Sequence, residues 1–195
     1  KAKKHWLEIA SAVYAAKKAF DWAEMGANAE QTRFAFNNLA SSVGFDADQM
    51  IDDLKRLSGQ TLSTTETIKQ ASAAVVLGID ADKIPKLMEI ARASARAFGT
   101  DVDFMFDSIV KGIGRQSKLV LDNLGIIFNA KEAYEEYAKV HKKSVDQLTD
   151  HEKKQAFLNK TLEAGEEILR KINTEMQTNY ERIQMMKARW QDFTE

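Results

Sequence analysis

Nine glycines partition this 195-residue chain more sharply than any other feature. They stand at 26, 44, 59, 78, 99, 112, 114, 125 and 165, most of them directly after a run with helical apolar spacing. A glycine there can take the left-handed conformation that closes a helix at little steric cost. Residues 44–125 therefore read as short helices folding back on one another, whereas 1–25 and 166–195 hold neither glycine nor proline and can each run as a long helix. At about 1.5 Å per residue, a 40-residue arm reaches roughly 60 Å, much longer than a small domain is wide.

Apolar residues recur at three and four, as in Met50, Ile51, Leu54, Leu57 and again in Ile84, Leu87, Met88, Ala91, Ala95. That is the period of helices with one buried face, and no stretch alternates long enough for a strand. The fold class is all-α. Capping pairs mark starts at Asp46…Gln49, Ser63…Glu66, Thr100…Asp103, Asn129…Glu132 and Thr149…Glu152. The spacing predicts helices near 2–42, 47–58, 64–77, 82–98, 101–113, 117–123, 130–142 and 150–192. Pro85, the single proline, falls in a first turn, where its missing N–H does little harm. This divides the chain into an N-terminal arm over 1–43, a compact multi-helix module over 44–142 and a C-terminal arm over 143–195.

One local unit recurs as Gly44-Phe45-Asp46-Ala47-Asp48, Gly78-Ile79-Asp80-Ala81-Asp82 and Gly99-Thr100-Asp101-Val102-Asp103. Glycine ends one helix, Phe45 or Ile79 packs back on it, and the acids cap the next and oppose its dipole. Asp-x-Asp also opens calcium loops of the EF-hand type, but the third ligand, the sixth-position glycine and the twelfth-position glutamate are missing.

The C-terminal arm carries a seven-residue repeat: Leu162, Leu169, Met176, Ile183, Trp190, with Gly165, Ile172, Asn179, Met186, Phe193 three positions further on. The N-terminal arm has a shorter version in Trp6, Val13, Phe20 with Ile9, Ala16, Ala23. Such seams form coiled coils, so the arms either pack together within one chain or pair with copies of it; in the second case Leu162, Leu169, Ile172, Met176, Ile183, Met186 and Trp190 are a candidate self-association seam and the chain a candidate homo-oligomer. Glycine and asparagine weaken the seam, and two amphipathic helices lying on the central module are the alternative.

Lys+Arg 28 against Asp+Glu 29 leaves a net charge of -1 and no basic field for nucleic acid. The absence of cysteine excludes disulfides, thiolate metal sites and a cysteine nucleophile. No apolar run approaches the roughly 20 residues of a spanning helix, and the basic start leads into an amphipathic stretch unlike a signal peptide. His5, His141 and His151 are scattered, and no nucleophile elbow, phosphate loop or dinucleotide fingerprint occurs. Gly112-Ile113-Gly114 lacks the third glycine and the strand, and reads as a helix break. No catalytic, cofactor-binding or metal residue is therefore assigned, and the chain is not expected to be an enzyme. Ala74, Gly78, Ile84 and Leu87 match helix-turn-helix spacing, yet Asp80, Asp82 and Pro85 occupy the would-be reading helix, where phosphates repel the acids.

From about residue 23 to 165 the chain resembles the tail tape measure proteins of long-tailed bacteriophages and prophages. The most specific stretch is Leu121-Asp122-Asn123-Leu124-Gly125-Ile126, followed by Ala133-Tyr134, Tyr137-Ala138, Gln147-Leu148-Thr149, Glu152-Lys153 and Gln155-Ala156-Phe157-Leu158-Asn159. Gly78-Ile79-Asp80, Leu87-Met88, Ala91 and the run Gly112 through Ser117 are similar to the same family, whereas 1–22 and 166–195 carry none of its pattern. The resemblance implies structural work: such proteins lie in the growing tail tube, help set its length, and leave the lumen at DNA ejection. It implies as partners other tape measure copies, the tail tube protein, tail assembly chaperones and tail-tip proteins, with no cofactor and no specific nucleic acid. The implied location is the virion tail lumen, preceded by the bacterial cytoplasm during assembly. A chain that starts without methionine and stops inside a helical run reads as a piece of something longer. The glycine-punctuated middle is too broken to be a ruler itself. A helical intracellular adaptor or scaffold offering grooves to partner helices shares fold, charge and lack of catalytic groups.

Overall fold

The computed structural model describes residues 26–195, and the N-terminal heptads from Trp6 to Ala23 lie outside them. Among the described residues every regular element is helical. The order is α1 (26–43), α2 (Ala47–Leu57), α3 (Thr64–Val76), α4 (Ile84–Phe98), α5 (Val102–Gly114), α6 (Lys118–Asp122), α7 (Ala130–Val140), α8 (Asp150–Lys171) and α9 (Asn179–Thr194). Short 3-10 turns precede α4 and α8, at Ala81–Lys83 and Val145–Gln147.

The turn after α3 shows how glycine punctuation works. Gly78 adopts φ +83°, its N–H reaches the Val75 carbonyl, and the Ile79 N–H reaches Ala74 at 3.0 Å. Those bonds satisfy carbonyls the helix end leaves free, while Ile79 drops into the core. Phe45 does the same after α1, packing on Phe36 with ring centroids 5.6 Å apart. Of the three aspartates expected to cap, only Asp46 does so with its side chain, accepting from the Gln49 N–H at 2.9 Å. Asp80 makes no side-chain cap, and Asp101 is drawn away to α9. The start signals at Ser63 and Thr149 form full capping boxes with Glu66 and Glu152.

α4 is the central helix: Ile84, Leu87, Met88 and Ile90 are wholly buried, and α2, α5 and α8 pack round it. α3 packs chiefly on α2 and α5. The helices on either side of Gly78 thus share α2 and α5 as neighbours and make few contacts with each other, unlike a helix-turn-helix pair, whose two helices brace each other.

The sequence expectation fails at the C-terminal arm. The core does not close at residue 142, because α8 supplies Phe157 and Leu158 to the same cluster as α4 and α5. Nor is 150–192 one helix. α8 ends at Lys171, Ile172 is extended at φ -111° and ψ 115°, and Thr178 starts α9 with its own capping box. The heptad positions stay in register across the break, so periodicity alone conceals it.

Candidate interaction surface

α9 returns to the module and is tied down at both ends. Near its start, the carboxylate of Glu181 is buried between Arg92 and Arg96, one turn apart on α4. Arg92 Nε donates to Oε1 at 2.8 Å, Arg96 Nε to the same oxygen at 3.0 Å, and Arg96 Nη2 to Oε2 at 2.5 Å. Two cations facing one anion leave donors over. The Asn173 and Met176 carbonyls take them, each 2.5 Å from an Arg96 nitrogen, so the connecting loop is fixed by the same side chain. Near the other end, Asp192 accepts from Lys55 Nζ and from the Thr64 N–H, both at 2.6 Å. Thr64 opens α3, so Asp192 satisfies a backbone donor that no residue of its own helix could reach. Glu195 takes the Thr65 hydroxyl at 2.6 Å.

These contacts consume every acidic side chain of α9. What remains outward is apolar and cationic: Ile183, Met186, Trp190 and Phe193 are 49%, 60%, 67% and 81% exposed, with Arg182, Lys187 and Arg189 beside them. The four apolar residues follow spacing 3, 4, 3, which puts them in one stripe along the helix. Trp190 and Phe193 lean together, their rings 5.9 Å apart.

The candidate seam is thereby divided. Leu162 and Leu169 are half-buried and pack against the core, Ile172 sits at the helix end, and Met176 projects from the loop. Only Ile183, Met186 and Trp190 of the seam share an open face, joined by Phe193. Gly165, a seam position too, is where α8 touches α4, because a Cβ there would come within 2.8 Å of Ile90 Cγ1. The arginine clamp had no seam signal. Arg92 and Arg96 read as a solvated pair on an amphipathic helix, although Thr178…Glu181 has the spacing of a capping box and marks the start of α9.

A cleft of about 500 Å³ lies between α3, α5 and α9, lined by Glu66, Asp101, Asp103, Phe104, Tyr180 and Gln184 among others. Asp101 there accepts from the Tyr180 hydroxyl at 2.6 Å and from Gln184 at 3.0 Å, which locks α9 to the start of α5. Among the described residues no cluster of three His, Asp or Glu side chains could hold a metal ion, and no helix is long and apolar enough to cross a membrane.

The residues carrying the family-like stretch lie elsewhere, in the turn from α6 to α7. Leu121, Leu124 and Ile126 are buried, Gly125 turns the chain at φ +76°, Asp122 pairs with Lys118, and Asn123 faces solvent. No protein-family model matches the chain, and no solved structure matches it.

Burial pushes the Glu181 carboxyl up, but hydrogen bonds from Arg96, Arg92 and the Thr178 N–H outweigh it and hold the group at about 2. An ordinary glutamate titrates near 4.5, so the folded form binds its proton less readily than the unfolded form. The stability this contributes is complete above the ordinary value and is lost as pH falls from about 4.5 towards 2. Glu152, held at about 2 chiefly by the hydrogen bond from Lys143, titrates over the same window at the start of α8. Protection of the α9 amides, taken relative to the intrinsic exchange rate at each pH, is expected to fall in that window before protection along α4 does. Simultaneous loss in both helices would show that α9 is not a separately anchored element.

Proposed function

We propose that this chain is a structural segment of a bacteriophage or prophage tail tape measure protein, helping set tail length and occupying the tail lumen until DNA ejection. The observation that carries the reading is where the resembling residues fall. The ordered run from 121 to 159 covers the end of α6, α7 and the first half of α8, with Leu121, Leu124, Ile126, Phe157 and Leu158 in the core shared with α4 and α5 and the Tyr134 hydroxyl donating to Gln116 at 2.8 Å. Asn123, Gln147, Thr149 and Asn159 of the pattern are exposed, and its buried remainder is what gives the module its shape. In this reading the chain performs no catalytic step, and its partners are other tape measure copies, the tail tube protein, tail assembly chaperones and tail-tip proteins.

The fold refines the role. Helix gives length in proportion to residue number only while it runs unbroken, and the described residues instead fold back into a bead. The segment would act as a docking or plugging unit within the lumen, with the ruler elsewhere. Tail particles purified after prophage induction are expected to yield peptides of this chain together with tube subunits. Recovery only from the particle-free cytoplasm would contradict the reading. That result would favour an intracellular helical adaptor or scaffold, for which the open face of α9 speaks.

A further inference from the structure

The open face of α9 states what it would accept. Among the described residues its apolar stripe is bordered by Arg182, Lys187 and Arg189 and by no free acid of α9, since Glu181, Asp192 and Glu195 are all engaged inward. Two α9 helices set face to face would bring these cations together at close range, which opposes a symmetric pair. The fitting surface is acidic with apolar contacts inside it, and this chain carries a cleft of that kind.

Between the start of α7 and the middle of α8 lies a cleft of about 270 Å³. Ile127, 69% exposed, Phe128 and Ala164 line it together with Glu132, Glu163 and Glu167. The one lysine in the lining, Lys160, is already shared by Glu136 and Glu163, at 2.7 and 2.8 Å, and Glu167 pairs with Arg170 of the same helix. Glu132 takes only the Asn129 amide among the described residues. α9 rests on α2, α3 and α4, while α7 rests on α8, so the two complementary surfaces sit on different helices of one bead.

We propose that these surfaces join successive copies head to tail, with Trp190 and Phe193 of α9 entering the α7–α8 cleft of the next molecule and Lys187 and Arg189 meeting its glutamates. A contact between two different faces leaves one of each free at the ends, so it propagates rather than closing as a dimer. The inference rests on this charge complementarity and on the exposed apolar side chains of both surfaces, and holds whether or not the chain belongs to a phage tail.

Sedimentation of the full 195-residue chain at low salt tests it. The parent is expected to associate progressively with concentration, and less so as salt screens the glutamates. A head variant, Trp190→Asp with Phe193→Asp, and a cleft variant, Glu132→Lys with Glu167→Lys, should each associate roughly thirty-fold more weakly or worse, as loss of a central aromatic anchor or its charged frame entails. Mixed together, the two variants should form a one-to-one dimer that grows no further, because each supplies the surface the other lacks. Lys187→Glu and Arg189→Glu placed in the cleft variant should restore association. Circular dichroism of each variant verifies the fold. A parent that stays monomeric, a cleft variant that associates like the parent, or a monomer whose α9 binds vesicles of anionic lipid instead would each overturn the proposal.

Discussion

Glu181→Gln is expected to release α9 from the module while α2 to α8 remain folded. Removing one partner from a buried ion pair costs about 3–5 kcal/mol, because the remaining charge stays desolvated without an anion. Here two guanidinium groups would be stranded, and glutamine returns only a neutral acceptor to Arg92 and Arg96. The loss has a ceiling. Once α9 lifts away, water reaches both arginines, so the variant can lose no more than the free energy that docks the helix. The effect should therefore appear as local opening. Amides of α9 would exchange at close to unfolded rates, whereas those of α4 and α8 stay protected. Arg92→Met should do less, since Arg96 still holds both carboxylate oxygens and the loop carbonyls. Full protection of α9 in Glu181→Gln would show that the apolar contacts of Ala188 and the Asp192 anchor suffice.

The second large effect is expected at Gly165, where α8 lies on α4. A Cβ there would fall 2.8 Å from Ile90 Cγ1 and 2.9 Å from Cγ2, and closer still to Cδ1. Ile90 is wholly buried, so it has nowhere to retreat. Alanine would gain about 1 kcal/mol of helix propensity over glycine. Overpacking a filled core costs roughly 1–3 kcal/mol, and the contact here involves the branch point of a β-branched side chain, so the net sign is destabilising. Gly165→Val adds two further methyl groups at the crossing and should cost about 3 kcal/mol or more, lowering the thermal midpoint by roughly 6–12 °C. Gly165→Ala with Ile90→Ala should lose less than the two single changes together, since each relieves what the other creates. Simple additivity in that pair would mean the helices do not touch there.

These two sites show where sequence is informative and where it falls silent. The glycine after α3 announces its turn because the signal is local: Gly78, Ile79 and the carbonyls they cap lie within six residues. Ser63 and Glu66 are legible for the same reason. Gly165 is not, since a glycine with ordinary helical φ gives no sign that another helix occupies its missing side chain. The break before α9 is concealed by its own regularity. Leu169, Met176 and Ile183 keep a seven-residue interval through a segment whose Ile172 is extended and whose Asn173 side chain accepts from the Glu175 N–H. Periodicity reports which residues are apolar, not whether the backbone between them stays helical. Arg92 and Arg96 depend on a partner more than 80 positions away, which only the packing of α9 brings near. The open stripe was nevertheless marked in the sequence: Ile183, Met186 and Trp190 belong to the seam, and the fold changes what they face.

The central claim is that α9 folds back on the module and turns an apolar, cationic face outward. Zero-length carbodiimide coupling of the dilute native chain tests it most directly, because Lys55 and Asp192 form an ion pair at 2.6 Å and are each partly open to solvent. A continuous arm would instead carry Asp192 roughly 30 Å beyond the end of α8, out of reach of Lys55. The account predicts an amide link between those two side chains, recovered by mass spectrometry from the monomeric fraction. Coupling of Lys55 to other carboxylates with no link from residues 179–195 to α2 or α3 would contradict it.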